Sequence, residues 1–280
     1  MGKVRVLMLA DIPPELLHNE SSMAVWNKYY LPTPILNLLE GLARIPELEI
    51  SVLSFSRRGN ARGMLWKRVH VEVVKVPKGS ALSTFYLLRW PIVLRKIHHF
   101  SPDVVHGQGI ESGYAWLATL QTVPHLLTFH GVYGVTAYLK PQGIWQRLGY
   151  KLQQVTLKRA RHIIAISHYL ENWFRQNTSA NVYYVPNAVH DSFYHIKPNT
   201  YAEFDLLYVG RIMPAKGLLD AIEALIILER KRRLKLRMAV IGQPTSKEQQ
   251  DYLNKCRMRA EMLERSEVIF LGNVSHEKLP

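Results

Sequence analysis

The stretch VGRIMPAKG (209–217) decides how this chain is read. Val209 and Gly210 close an apolar strand pattern, FDLLYVG (204–210), and Gly217 opens an amphipathic helical pattern, LLDAIEALIILERKRR (218–233). Between them Arg211 and Lys216 stand five apart in a short loop containing Pro214. Two cations at the carboxyl end of a strand, just before a helix, suit an anion. The helix end contributes unpaired N–H groups and a partial positive charge. Arginine adds a planar fork for phosphate oxygens, and lysine adds a point charge. A diphosphate is the natural ligand, although an ordinary βα loop with solvated cations would look the same. Spacing alone leaves both readings open.

Working outward, β-like runs alternate with helical patterns. VRVLMLA (4–10), EISVLSF (49–55), VHVEVVKV (69–76), DVVHG (103–107), HLLTFH (125–130), HIIAIS (162–167) and NVYYV (181–185) precede a polar break at 186–204. FDLLYVG, LKLRMAVIG (234–242) and EVIFLG (267–272) follow it. Helical patterns at 29–45, 89–100, 143–160, 218–233 and 247–265 fall between strands. The alternation predicts an α/β protein built from two Rossmann-like parallel-sheet domains covered on both faces. We place the first domain at 1–188, the linker at 189–203 and the second domain at 204–280. The second domain is expected to be incomplete, with three strands and a further helix beginning at SHEKLP (275–280). A ligand in such a pair is expected in the cleft at the strands' carboxyl ends.

Composition narrows the class. The chain has 280 residues, 48% of them hydrophobic, and one cysteine, Cys256. A single thiol excludes an internal disulfide and a Cys-based zinc site, and fits a reducing cytoplasm. The N-terminus lacks the pattern of a signal peptide, and the longest apolar stretch (83–97) is interrupted by Arg89, Pro91 and Arg95, which argues against a transmembrane span. The formal charge of +14 is uneven: residues 1–190 hold 21 Lys+Arg against 10 Asp+Glu, and residues 191–280 hold 15 against 12. The first half is therefore expected to face something anionic. The segment 140–161 carries Lys140, Arg147, Lys151, Lys158, Arg159 and Arg161 with no acid, beside an apolar side of Trp145, Leu148, Leu152, Val155 and Leu157. Such a helix can lie on anionic lipid, or pack on a core with a basic outer face.

Two strand ends of the first domain carry polar clusters: His106, Gly107 and Gln108 followed by Glu111, and His130 with Gly131. Histidine at a strand's carboxyl end before glycine puts an imidazole where a ligand can approach closely. Ser167 reads as a helix N-cap, and Asn187 in VPNAV (185–189) is either a hinge residue or a turn former. The first βα loop, 10–24, has no glycine, which argues against an ordinary NAD or FAD enzyme. No metal spacing, P-loop or GxSxG elbow is found.

Taken together, these residues resemble the retaining glycosyltransferases of family 4, which have the GT-B fold. VGRIMPAKG, LKLRMAVIG and VIFLGNV look like that family's donor-binding domain, and DVVHGQG, LLTFHG, HIIAIS and VPNAV fall in family order. The resemblance implies transfer of a hexosyl unit from a nucleotide-sugar to a glycan or lipid-linked acceptor, in cell-surface polysaccharide synthesis. It implies that Arg211 and Lys216 bind the donor diphosphate and that His130 meets the donor sugar near the reacting carbon. Asn273 and Val274 would lie near the nucleobase, and Gly131, Asn187, Gly210 and Gly242 would contribute to donor binding. His106, Gln108 and Glu111 would stand on the acceptor side. No metal or other cofactor is implied, the nucleotide-sugar being a substrate. The expected location is the cytoplasm, at the inner face of the plasma membrane if 140–161 binds it.

Three departures accompany the resemblance. The family's glycine-rich first loop is replaced by Pro13-Pro14 and Asn19-Glu20-Ser21-Ser22. GQP (242–244) stands where a second glycine is common. The paired-glutamate motif and the closing helix that returns to the first domain would follow residue 280. The expectation is a C-terminally truncated enzyme, with little activity alone or with a complementing C-terminal fragment as partner. The competing readings are a GT-B-fold nucleotide-sugar epimerase and a non-enzymatic basic protein binding a membrane surface or nucleic acid. A nucleic-acid partner is not expected, because the basic residues are interleaved with ordinary amphipathic helices instead of forming a stripe with stacking aromatics.

Overall fold

The structure is a computed structural model that describes residues 2–18, 33–77, 82–133, 143–195, 203–274 and 278–279, the side chain of His18 excepted. Parts of several expected features lie outside these residues: the helix start at 29–32, Asn19-Glu20-Ser21-Ser22 in the first loop, Lys140, linker residues 196–202, and most of 275–280. The chain forms two compact units, 1–190 and 191–280.

Unit 1 contains β1 (Val4–Leu9), α1 (Glu15–His18), α2 (Thr33–Ala43), β2 (Leu48–Ser56), β3 (Ala61–Leu65), β4 (Val69–Lys75), α3 (Trp90–Phe100), β5 (Val104–Gln108), α4 (Tyr114–Thr119), β6 (His125–Phe129), α5 (Ile144–Arg159), β7 (His162–Ala165), α6 (His168–Asn177) and β8 (Asn181–Tyr184). Its sheet runs β3-β4-β2-β1-β5-β6-β7-β8. Successive side chains of a strand face opposite sides, and β1 shows why that matters here. Leu7 and Leu9 join the core beneath α3, α4 and α5, with Val105, Leu127, Phe129 and Ile163. Met8 joins the core beneath α2, with Ile35, Leu39, Ile50 and Val52. The near-continuous apolar strands of the sequence are thus buried on both faces. Gly107 seats α4 on β5: a Cβ there would lie 2.8 Å from the Cα of Ala115 and 2.8 Å from the carbonyl oxygen of Tyr114.

One strand departs from the all-parallel expectation. β3 pairs antiparallel with β4, Ala61 facing Val73 and Leu65 facing Val69. Its turn places Trp66 and Lys67 at φ of 49° and 56°. Neither is a glycine or asparagine, so the hairpin has no turn signal, and ARGML shows no clean alternation. The imperfect apolar side expected of helix α5 is packed only in part. Leu152 and Leu157 are buried, whereas Ile144, Trp145 and Val155 are exposed, Trp145 at 58%. The helix packs through one face and presents a mixed apolar and basic face to solvent.

Unit 2 contains β9 (Leu206–Val209), α7 (Leu218–Arg232), β10 (Arg237–Ile241), α8 (Lys247–Ala260) and β11 (Glu267–Gly272). The three strands are parallel, ordered β11-β10-β9. Helices α7 and α8 share one core with Met238 and Val240, and Cys256 is buried within it. Glu229 near the end of α7 accepts the backbone N–H groups of Glu264, Arg265 and Ser266, at 2.8, 3.1 and 2.6 Å. Those bonds hold its pKa down to about 2 and tie the β11 approach to α7.

Candidate functional site

In unit 1 the carboxyl ends of β5 and β6 form a relay. His106 Nε2 accepts from Thr128 Oγ1 at 2.7 Å and from the Gln108 amide at 3.1 Å. Gln108 Oε1 in turn accepts from His130 Nε2–H at 2.9 Å, leaving Nδ1 of His130 as the ring's acceptor. This assignment of protons follows from the hydrogen-bond network. The residues meet because β5 and β6 pair in register, His106 beside Leu126 and Gln108 beside Thr128. Burial, with His130 adding to it, lowers the pKa of His106 to about 4. Burial also lowers that of His130. Both rings are therefore neutral near pH 7, and His130 stands oriented by Gln108.

The structure separates the three residues assigned to the acceptor side. His106 and Gln108 line, together with His130 and Asn187, an apolar groove of about 330 Å³ between α2 and the sheet. Asn37 of α2 donates to the carbonyl of Ala188 at 3.0 Å, which fixes the backbone beside Asn187. Glu111 belongs instead to a second pocket of about 280 Å³, whose polar lining is Asp11, Ser56, Arg57, Arg89, Glu111 and Ser112. Gly131 lies close to both groups, since a Cβ on it would be 3.7 Å from Glu111 Oε1. Glu111 is exposed at the pocket rim. The surrounding protein still desolvates its carboxyl enough to raise the pKa, against the pull of the Glu111 and Ile110 backbone N–H groups.

Asp11, Arg57 and Arg89 have no motif to announce them. Asp11 follows β1, Arg57 follows β2, and Arg89 sits at the end of a short 3₁₀ turn (Leu87–Arg89). Only the interruption of an apolar stretch by Arg89 was visible in the sequence.

In unit 2 the loop after β9 is built as VGRIMPAKG suggests. Ile212 is fully buried and pins the loop to the core, while Arg211 and Lys216 are exposed. Pro214–Lys216 form a 3₁₀ turn, and Gly217 at φ 72° starts α7 with no side-chain cap. The N-cap residue itself thus offers no side-chain oxygen to the first N–H groups of α7, one of which, that of Leu219, is taken by the Tyr252 hydroxyl of α8 at 3.0 Å. Gly210 and Gly242 let the ends of β9 and β10 approach. Gly242 has φ 148°, and a Cβ on it would stand 2.0 Å from the carbonyl oxygen of Gly210. Gly242 N–H bonds to the carbonyl of Gly272 at 2.8 Å, so all three strand ends are linked just before Asn273 and Val274. Among the described residues no cluster of His, Cys, Asp or Glu is arranged to hold a metal ion, and no helix is long and apolar enough to cross a membrane.

Two Rossmann-like units in series, each gathering polar groups at the carboxyl ends of a parallel sheet, define the GT-B class of α/β proteins. Sequence comparison takes the assignment further: the chain belongs to glycosyltransferase family 4, whose profile, Glycosyltransferase Family 4, matches residues 33–193, and the profile Glycosyl transferases group 1 matches residues 195–280. No curated protein sequence matches significantly. Among solved structures, sucrose-phosphate synthase from Thermosynechococcus elongatus aligns with a TM-score of 0.66 at 12% identity, over 99% of this chain and 72% of that one. A glycosyltransferase from Rickettsia africae aligns at 0.57 and 16%, over 98% and 69%. A UDP-GlcNAc 2-epimerase from Neisseria meningitidis, bound to UDP-GlcNAc, aligns at 0.52 and 12%, over 98% and 74%. At these identities the likeness establishes the fold.

Proposed function

We propose that this glycosyltransferase transfers a hexosyl unit, with retention of configuration, from a nucleotide-sugar to a glycan or lipid-linked acceptor in cell-surface polysaccharide synthesis. The observation that carries the donor assignment is the β9–α7 loop, where exposed Arg211 and Lys216 flank the amino end of α7, whose N-cap residue is Gly217. A diphosphate there would meet two cations and backbone N–H groups at once. In the reaction the bond from the sugar's anomeric carbon to the diphosphate breaks, and its electron pair stays with the nucleotide. An acceptor hydroxyl oxygen bonds that carbon, and its proton passes to an oxygen of the departing diphosphate. Arg211 and Lys216 stabilise the charge gathering on the diphosphate, a role that favours the transition state over the ground state. His130, neutral and held by Gln108, is assigned to the donor sugar near the reacting carbon. Gly131, Asn187, Gly210, Gly242, Asn273 and Val274 remain the proposed backbone contacts of the donor.

Because fixed cations supply the countercharge, the proposal includes turnover and donor binding without a metal, unaffected by EDTA. It also places the enzyme at the cytoplasmic face of the plasma membrane, where Ile144 and Trp145, exposed beside Arg147 and Lys151, would meet anionic lipid. Sedimentation with phosphatidylglycerol vesicles, but not with phosphatidylcholine vesicles, is the expected result. Trp145→Ala is expected to reduce it.

Calorimetry against UDP-, GDP- and ADP-sugars tests the donor site. One of the three nucleotides should bind, and Arg211→Ala and Lys216→Ala should each weaken it by about tenfold, the value of one charge-assisted hydrogen bond. Unchanged affinity in both variants would remove the diphosphate assignment.

A further inference from the structure

The polar pocket of unit 1 stands at the point where the sheet's strand order reverses. From β1 the chain passes to β2 and β4 on one side, and later to β5 and β6 on the other. In open α/β sheets the crevice beyond the strand ends at that point is where a ligand fits. Here the crevice is bounded by residues following β1, β2, β4 and β5, together with the 3₁₀ turn before α3. The walls are closely packed and hydrogen-bonded. Tyr86 donates from its hydroxyl to the Glu111 carbonyl at 2.7 Å, and its ring packs so closely on Gly113 that a Cβ there would lie 2.3 Å from it. Tyr114 is fully buried, and its hydroxyl accepts from the backbone N–H of Phe55 at 3.0 Å.

Arg89 is the unusual group. It is only 8% exposed, and its guanidinium lies over the rings of Phe55 and Tyr86 at 5.1 and 4.9 Å. One of its nitrogens donates to the carbonyl of Ser112 at 3.3 Å. A cation on two aromatic faces is oriented in advance, so binding through it loses little side-chain entropy. Arg57 opens onto the same space. Burial is the main cause that lowers the pKa of Arg89, Asp11 counters it, and the nearby charge of Arg57 adds a smaller push in the same direction as burial. The pocket thus holds two cations against the one carboxylate of Asp11 beside Arg89. Asp11 and Glu111 on the other walls would repel a diphosphate, yet they are good acceptors for sugar hydroxyls.

We propose that this pocket is the acceptor subsite and takes a sugar carrying an anionic substituent, a phosphate or a carboxylate, gripped by Arg57 and Arg89 while Asp11 and Glu111 receive its hydroxyls. The proposal rests on the glycosyltransferase reading above and names the acceptor's chemical class. Arg57 is the residue to change, because it is exposed and carries none of the packing that Arg89 does.

The test is calorimetry of the whole chain with hexose 6-phosphates, hexuronates, the parent neutral hexoses and inorganic phosphate, with UDP- and GDP-sugars titrated in parallel. A charged sugar should bind at least tenfold tighter than its neutral parent and tighter than inorganic phosphate. Arg57→Gln should remove that advantage and leave nucleotide-sugar binding unchanged. Whether the phosphates or the uronates bind identifies the anion. Equal binding of charged and neutral sugars, no binding by either charged series, or equal binding by inorganic phosphate overturns the proposal. Anionic-sugar binding without nucleotide-sugar binding would retain the pocket and remove the donor reading. The reverse pattern would do the opposite.

Discussion

The two units solve the same problem, a polar site at the end of a parallel sheet, in different ways. Unit 1 uses side chains that hold one another. His106, Thr128, Gln108 and His130 form one relay, and Arg89 is held by two rings and a carbonyl. Unit 2 uses backbone, with glycines at the strand ends, a helix amino end and two exposed cations. A site of interlocked side chains is shaped before a ligand arrives, and its members are difficult to change singly. A site of backbone and exposed cations depends on the path of the main chain and tolerates side-chain loss at the rim.

The sharpest way to break this contrast is Gly242→Ala. If unit 2 depends on backbone approach, one methyl group should do more harm than removing either cation. The Cβ would sit 2.0 Å from the carbonyl oxygen of Gly210, at a φ of 148° that an L-residue rarely adopts. Clash and strain together should lower the stability of unit 2 by about 3 kcal/mol or more. Nucleotide-sugar binding should be lost, not merely weakened. Thermal unfolding and calorimetry of the variant check both, and an unchanged melting point would show that the strand ends separate easily.

For unit 1 the matching test is pH. The folded pKa of His106 is about 4, against 6.5 for the unperturbed ring. Between those values the unfolded chain binds the proton and the folded chain does not, so stability falls as pH drops from 6.5 towards 4. A shift of this size corresponds to roughly 3 kcal/mol across the window. His106→Asn should flatten that part of the stability curve, whatever it costs at pH 7. Glu229 in unit 2 titrates lower, being held down to about 2 by backbone N–H groups, so its contribution is present above about 4.5 and is lost as pH falls further. Unit 1 should therefore weaken at a higher pH than unit 2, which separate fluorescence and amide-exchange probes can follow.

The same difference governs what the sequence could disclose. VGRIMPAKG is legible because nine adjacent residues hold the strand end, both cations and the helix start. The His-Gly endings of β5 and β6 are legible as strand ends. The bond joining Gln108 to His130 spans 22 residues and depends on strand register. Arg57 and Arg89 lie farther still from any local signal, since one follows a strand and the other interrupts an apolar stretch. Topology alone brings them to Asp11 and Glu111. β3 escaped because its turn uses Trp66 and Lys67 at left-handed angles without a turn residue. Periodicity reports which face is buried, and it carries nothing about which loops meet.

The smallest expected effect separates fold from site in both units. Ser167 caps α6 by accepting the Leu170 N–H at 3.2 Å, and Ser246 caps α8 by accepting the Gln249 N–H at 3.3 Å. The geometry is alike, and neither serine lines either pocket. Alanine at each position should cost about 1 kcal/mol, the usual value of an N-cap. The proposed donor site is the amino end of α7, where Gly217 offers no capping side chain and the Tyr252 hydroxyl takes only the Leu219 N–H. Converting Gly217 to serine should then act opposite to Ser246→Ala. It would tend to satisfy the helix end, although the φ of 72° opposes the substitution, and would compete with the diphosphate for the same donors. Nucleotide-sugar affinity should fall in Gly217→Ser and stay constant in Ser167→Ala and Ser246→Ala. Equal affinity in all three variants would mean that the cations alone hold the donor.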